Sequence, residues 1–201
     1  MAWTEEDVWN KRHDLLRWCR LSRAYHQKRE RFFDILDNST KALSVLGATA
    51  IYPKVVPPGY QAYIAAIVAI TSTLSLVLGY AKRSRAHADL AKTFVDIESR
   101  IIAKGIFDDA VADAFEAEIV KAEGSEPRAL GALVRICQNE ILAAEGNGSA
   151  IRPLRVHQRL FAHFYDFDLS DDKKKRYSLP TVLLVATAAA AGFMAQQVLP
   201  K

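Results

Sequence analysis

Residues 61–101 read QAYIAAIVAITSTLSLVLGYAKRSRAHADLAKTFVDIESRI, and two different patterns meet inside them. Gln61–Tyr80 holds 20 residues without a charge. At 1.5 Å of rise per residue that is enough to cross a hydrocarbon layer about 30 Å thick. Tyr60, Tyr63 and Tyr80 fall near the two ends, where amphipathic rings settle at a membrane interface. A buried core helix is the competing reading, but a chain this small rarely buries so long a helix that lacks a polar face. From Tyr80 onward the pattern changes. Tyr80, Arg83, His87, Leu90, Phe94, Ile97 and Ile101 recur alternately every three and four residues, a heptad-like seam. The expectation is one unbroken helix that leaves the bilayer and keeps a face for a partner helix.

Upstream, KALSVLGATAIYPKVVPP (residues 41–58) is a shorter apolar run, crowded by Asp37 and Lys41 and broken by Pro53-Lys54. The VVPPG turn then reverses the chain, because two prolines and a glycine cannot continue a helix. Ser39–Tyr80 therefore reads as a helical hairpin in the membrane. A first arm that dips into the bilayer, or lies on it, is the alternative, since its uninterrupted length falls short of a standard span. Trp18, Leu21, Tyr25, Phe32 and Ile35 form a stripe on the N-terminal helix, comparable with the seam after the hairpin. The two predict a long antiparallel pair, half in lipid and half in cytosol.

Downstream, Phe107, Val111, Phe115 and Ile119 have helical spacing. Ser125 and Pro127 look like the cap and first turn of a further helix whose face is Leu130, Val134, Cys137 and Ile141, ending at Gly146. His157, Leu160, Phe161, Phe164 and Phe167 give residues 152–167 an aromatic side, suited either to the bilayer surface or to packing on the bundle. A third apolar run, SLPTVLLVATAAAAGFMAQQVLP (178–200), is alanine-rich, with Ala188 and Gly192 at small-xxx-small spacing. It reads as a span, or else as a helix packed on protein. Basic residues set the orientation. Lys28, Arg29, Arg31 and Lys41 precede the first run, Lys82, Arg83 and Arg85 follow the second, and Lys173, Lys174, Lys175 and Arg176 precede the third. The hairpin tip carries only Lys54, so the positive-inside bias puts the N-terminus and the middle region in the cytoplasm.

The whole is all-α: an N-terminal basic amphipathic helix (1–38), a transmembrane hairpin (39–80), a cytoplasmic helical region (81–177) and a C-terminal transmembrane helix (178–201). The acidic N-terminus has no apolar core and does not read as a signal peptide. Cationic residues beside apolar runs, under a net charge of only +4, suit a membrane surface better than nucleic acid, for which no motif is present. The two cysteines, Cys19 and Cys137, do not make a disulfide framework.

Catalytic groupings are missing. There is no phosphate loop, nucleophile elbow, CxxC or HExxH, and neither a metal nor a cofactor is expected. His13, Cys19 and His26 share one helix at spacings that do not converge on a metal, and His87 reads as a hydrogen-bonded core histidine. The reading is a non-enzymatic membrane protein. Within the hairpin, Thr40, Ser44 and Gly47 lie on one face of the first arm, and Ser72, Ser75 and Gly79 on one face of the second. Small and hydroxylated residues so spaced pack membrane helices tightly, or line a water-filled path if several copies surround an axis.

RLSRAYHQKRERFFDIL (20–36), YAKRSRAHADLAKTFVDIESRI (80–101) and EPRALGALVRICQNE (126–140) together resemble the SLATT-type proteins of bacteria in layout and loose pattern, over most of residues 9–145. The resemblance implies an inner-membrane effector of bacterial conflict or phage defence, one that forms homo-oligomers and perforates or depolarises the membrane when a separate nucleotide-sensing partner activates it. The family is defined by two spans, and the third apolar run here departs from it. The other expectation is a non-conducting scaffold whose cytoplasmic helices dock a partner protein.

Overall fold

The computed structural model describes residues 4–50 and 56–169, and among them it is all-helical. The C-terminal span expected at 178–201, with Lys173, Lys174, Lys175 and Arg176, lies outside the described residues. Part of the hairpin turn does too. Helix α1 (Glu5–Ala50) runs for 46 residues, about 69 Å at the standard rise. Helix α2 (Pro58–Leu78) starts on proline, whose fixed φ suits a first turn, and returns alongside it. The apolar helical stretch that begins at Gly59 is long and apolar enough to cross a membrane, with a mean hydropathy of 2.0 and none of its apolar window buried. That exposure is the opposite of what a core helix would show.

The expected unbroken passage from span to seam is corrected at one residue. Gly79 adopts the left-handed conformation (φ 61, ψ 48), so α2 stops and α3 (Tyr80–Lys104) begins as a separate helix. The hydrogen-bond ladder still bridges the break: Gly79 N–H donates to the Ser75 carbonyl, and Arg83 N–H to that of Gly79. Only glycine takes this conformation without steric cost, and the reading of periodicity alone had no way to register it.

Helices α1 and α3 pack as the expected antiparallel pair. Helix α4 (Asp109–Glu123), capped by the Asp108 carboxylate on Val111 N–H, and helix α5 (Gly131–Ala144) lie against α1. A short helix, α6 (Val156–Leu160), follows and leans on α5. One apolar core joins Leu15, Leu16 and Cys19 of α1 to Phe94, Ile97 and Ile101 of α3 and to Ala112, Phe115 and Ile119 of α4. A second joins Tyr25 to Ala132, Leu133, Cys137 and Ala162. Each fully buried large side chain contributes about 1.5–3 kcal/mol of hydrophobic stabilisation before entropy is counted. Lys11–Glu116, Arg100–Glu118 and a Trp18 indole–Glu123 hydrogen bond rim the first core.

Two local expectations change. The helix after residue 124 begins at Gly131, not at Ser125, whose hydroxyl instead closes back on the Ala122 carbonyl. Tertiary partners replace the local cap, with Tyr25 Oη accepting from Leu130 N–H and Asp166 Oδ1 from Gly131 N–H. On α1 the buried line is Leu15, Cys19, His26, Phe33 and Asp37. Of the expected stripe, Tyr25 is buried, Trp18, Leu21 and Phe32 flank that line, and Ile35 is 54% exposed.

Candidate functional site

Two arrangements stand out, one in the hairpin and one at the centre of the bundle. In the hairpin, Thr40 and Ser44 return their hydroxyls to the carbonyls four residues back, at 2.7 and 2.9 Å. Ser44 Oγ also meets Ser72 Oγ at 3.0 Å, joining the two arms. Gly47 is buried beside Val68, closer than any residue with a side chain would permit. Beside this contact a groove of about 560 Å³ opens, lined by Thr40, Ser44, Ser72, Ser75 and Gly79, by Val45, Leu76, Tyr80 and Ala81, and by Asp37, Lys41 and Lys82. Five of the six hairpin positions singled out by spacing thus share one groove. The sixth, Gly47, serves the packing of the arms. Asp37 is buried and paired with Lys41.

The basic collar sits just beyond. Arg83 donates from Nε to the Leu78 carbonyl at 3.0 Å, taking up one of the free carbonyls at the end of α2, and its guanidinium reaches toward the Phe33 ring. Lys82 and Arg85 are exposed.

In the bundle, His26 is fully buried and uses both ring nitrogens. Its Nδ1 lies 2.9 Å from Nδ1 of His87, and its Nε2 lies 2.7 Å from Glu126 Oε1. Phe94 stacks on His26 with an interplanar angle of 8°, and Phe33 stacks on His87 at the same angle. The Arg29 guanidinium covers the far side of Phe33 at 4.5 Å. Proton placement follows from the distances. Facing a carboxylate, His26 Nε2 carries hydrogen, so the single hydrogen between the Nδ1 atoms belongs to one imidazole or the other. Two hydrogens cannot fit there, and the pair therefore excludes the doubly charged state. Burial, followed by the neighbouring His26, Arg29 and Arg83, pushes His87 down from 6.5 to about 4.

This has a measurable consequence with a definite sign. Unfolded His87 binds its proton near 6.5, whereas the folded chain refuses it until about 4. Between those values the unfolded state holds more protons, so stability falls as pH drops through the window and is flat above it. His163, pushed down to about 4 by burial and by Arg29 and Lys28, acts in the same direction. The urea midpoint is expected to fall between pH 7 and pH 5, where most carboxylates remain ionised. The fall should shrink in a His87→Gln variant. A midpoint unchanged over that range would show that the histidines are not held neutral.

A second buried charge bridges the same pair of helices. Glu98 on α3 receives Arg20 Nε at 2.9 Å and Arg23 Nη1 at 2.6 Å, both from α1. Sequence reading passed over Glu98 and Glu126, weighed His26 only as a metal ligand and took Asp37 only as crowding the first apolar run. The seven-residue spacing Cys19–His26–Phe33 was the available signal for His26.

Burial pushes both Cys19 and Cys137 up to about 12, which keeps the thiols protonated. Among the described residues no three histidine, cysteine or carboxylate side chains converge to hold a metal ion. Of the helix-contact residues expected from the seams, Tyr25, His87, Phe94, Ile97 and Ile101 are buried, Trp18 and Leu90 are half-buried, and Phe32 stacks on His163 instead of on α3. Compared with models of known protein families, with curated proteins and with solved structures, the chain matches none.

Proposed function

We propose that this chain is an inner-membrane protein whose hairpin spans the bilayer from the cytoplasmic side, and that copies assemble around an axis to open a path for ions. The observation that carries the reading is the groove that gathers Thr40, Ser44, Ser72 and Ser75 among the apolar side chains of the hairpin. Leu43, Leu46, Ile67, Ile70, Leu74 and Val77 are exposed elsewhere on the arms and suit lipid. The Asp37–Lys41 pair on the same groove does not, because charged groups are costly in hydrocarbon. Facing the groove toward other copies supplies water or protein instead. The resemblance to SLATT-type effectors points the same way, with a separate nucleotide-sensing protein as the trigger.

A scaffold is the second reading, favoured by the Ser44–Ser72 hydrogen bond and the close approach at Gly47. Both show hydroxyl and small residues gluing two arms of one molecule.

The reading is tested by ion flux across vesicles containing the purified full chain. Ser75→Leu fills the groove with an apolar side chain while leaving a lipid-compatible helix. Flux is expected to drop to that of protein-free vesicles, with insertion unchanged. Undiminished flux would remove Ser75 from the path, and no flux from the native chain with its activating partner present would favour the scaffold.

A further inference from the structure

The turn that follows α5 carries large apolar side chains that the bundle leaves uncovered. Val156, Leu160, Phe161, Phe164 and Tyr165 are each more than half exposed, Phe164 at 66%. The turn is nevertheless fastened. His163 stacks on Phe32 of α1 with centroids 4.5 Å apart, Phe164 meets Phe32 edge-on at 5.0 Å, and Arg29 Nη1 donates to the His163 carbonyl at 2.7 Å. Its surroundings are cationic: Arg31, Arg155 and Arg159 are exposed beside it. Of the acids near it, Glu140 pairs with Lys28 at 2.9 Å and Asp166 with Arg128 at 3.4 Å.

Its height on the molecule is fixed by α1. Asp37 and Gly79 border the same groove, at the level where the charge-free run ends. Phe32 lies five positions before Asp37, about 7–8 Å along a helix axis. That is close to the depth of one headgroup layer, which occupies roughly 5–7 Å on each side of the hydrocarbon. Aromatic rings mixed with arginine are what that layer favours.

We propose that residues 155–165 form an interfacial foot that seats on the anionic cytoplasmic face of the same bilayer the hairpin crosses. Phe161, Phe164 and Tyr165 enter the headgroup region, while Arg31, Arg155 and Arg159 meet lipid phosphates. This rests on the membrane reading of the hairpin. Charge and position select lipid over a protein partner: the cations lie around the aromatic cluster, and the patch stands where a bilayer around the hairpin would meet it.

The test uses the full chain in vesicles of phosphatidylcholine and phosphatidylglycerol whose acyl chains carry bromine near the headgroup. Bromine quenches tryptophan only at short range. With Trp3 replaced by phenylalanine in every chain compared, two native tryptophans remain: Trp18 stands 19 positions before Asp37 and Trp9 farther still, so both are roughly 28 Å or more from the span and give a low background. Phe164→Trp is expected to lose most of its added fluorescence, and to recover part of it when Arg155→Glu and Arg159→Glu are combined with it. Replacing phosphatidylglycerol by phosphatidylcholine should have the same effect. Leu74→Trp, in α2, reports the span separately. Quenching at 74 without quenching at 164 overturns the foot while the span stands, and a blue-shifted but unquenched probe at 164 would identify a second copy as its cover. Quenching at neither position removes the membrane reading and the foot together. Quenching at 164 that ignores both lipid charge and the arginine changes overturns the anionic assignment.

Discussion

Replacing His26 with alanine is expected to destabilise the helical bundle by at least about 3 kcal/mol, since truncating a fully buried ring alone costs about 3–5 kcal/mol. Two losses add. The ring is fully buried, stacked on Phe94 and edge-on to Tyr25, so its removal leaves a ring-sized void between α1 and α3. It also strips His87 Nδ1 and the Glu126 carboxylate of their partner; His87 is buried, and an orphaned buried polar group costs about 1–3 kcal/mol. The two parts can be separated. His26→Phe keeps the stacking and loses only the hydrogen bonds, so it should fall well short of the alanine variant. Combining His26→Ala with His87→Ala should cost less than the sum of the two, because each single change already breaks the shared contact. Urea unfolding of the full chain followed through Trp18, which packs against the neighbouring core, reads all of these. A loss under about 1 kcal/mol for His26→Ala would mean that the site collapses or fills with water, and that the two helices are held together by the apolar residues alone.

What the sequence disclosed follows from which signals are local. The charge-free run after Gly59 and the seam His87–Phe94–Ile97–Ile101 are each written in consecutive turns of one helix, and both appear in the structure as an exposed apolar helix and a buried stripe. The partner line on α1 was harder to read, since it alternates apolar residues with His26 and Asp37. Those become legible only when His87 and Lys41 are known to meet them. The start of α5 was misplaced for a related reason. Its first N–H groups are satisfied by Tyr25 and Asp166, about 105 and 35 residues away in sequence. No local cap could announce that. The groove was half visible: spacing put Thr40 and Ser44 on one face, and Ser72, Ser75 and Gly79 on another. That both faces border one cavity, with Gly47 set aside for contact, depends on the register between the arms. The break at Gly79 was hidden because a left-handed glycine interrupts a helix without disturbing the hydrophobic period on either side.

Gly47→Leu is expected to open the hairpin. A Cβ placed on Gly47 would lie 2.2 Å from Val68 Cγ2, a distance no relaxation of the new side chain can relieve. Val68 has little freedom to turn away, because valine on a helix is confined to one rotamer. The arms must separate, at a cost of about 1–3 kcal/mol for overpacking, and the 3.0 Å Ser44–Ser72 contact goes with them. The separation can be read directly from disulfide formation in membranes between Ser44→Cys and Ser72→Cys, against a background in which Cys19 and Cys137 are buried and inert. Cross-linking should be fast in the otherwise native chain, slower with Gly47→Ala, and lost with Gly47→Leu. Trimming the obstacle should repair the alanine variant, so Gly47→Ala with Val68→Ala regains the cross-link. If Gly47→Leu cross-links at the native rate, the arms do not approach at this position and the groove has a different shape. Ion flux from the paired variant then bears on function. Recovery of both cross-link and flux ties conduction to the closed hairpin, whereas recovery of the cross-link alone assigns the serine face to holding the arms together and moves the path elsewhere.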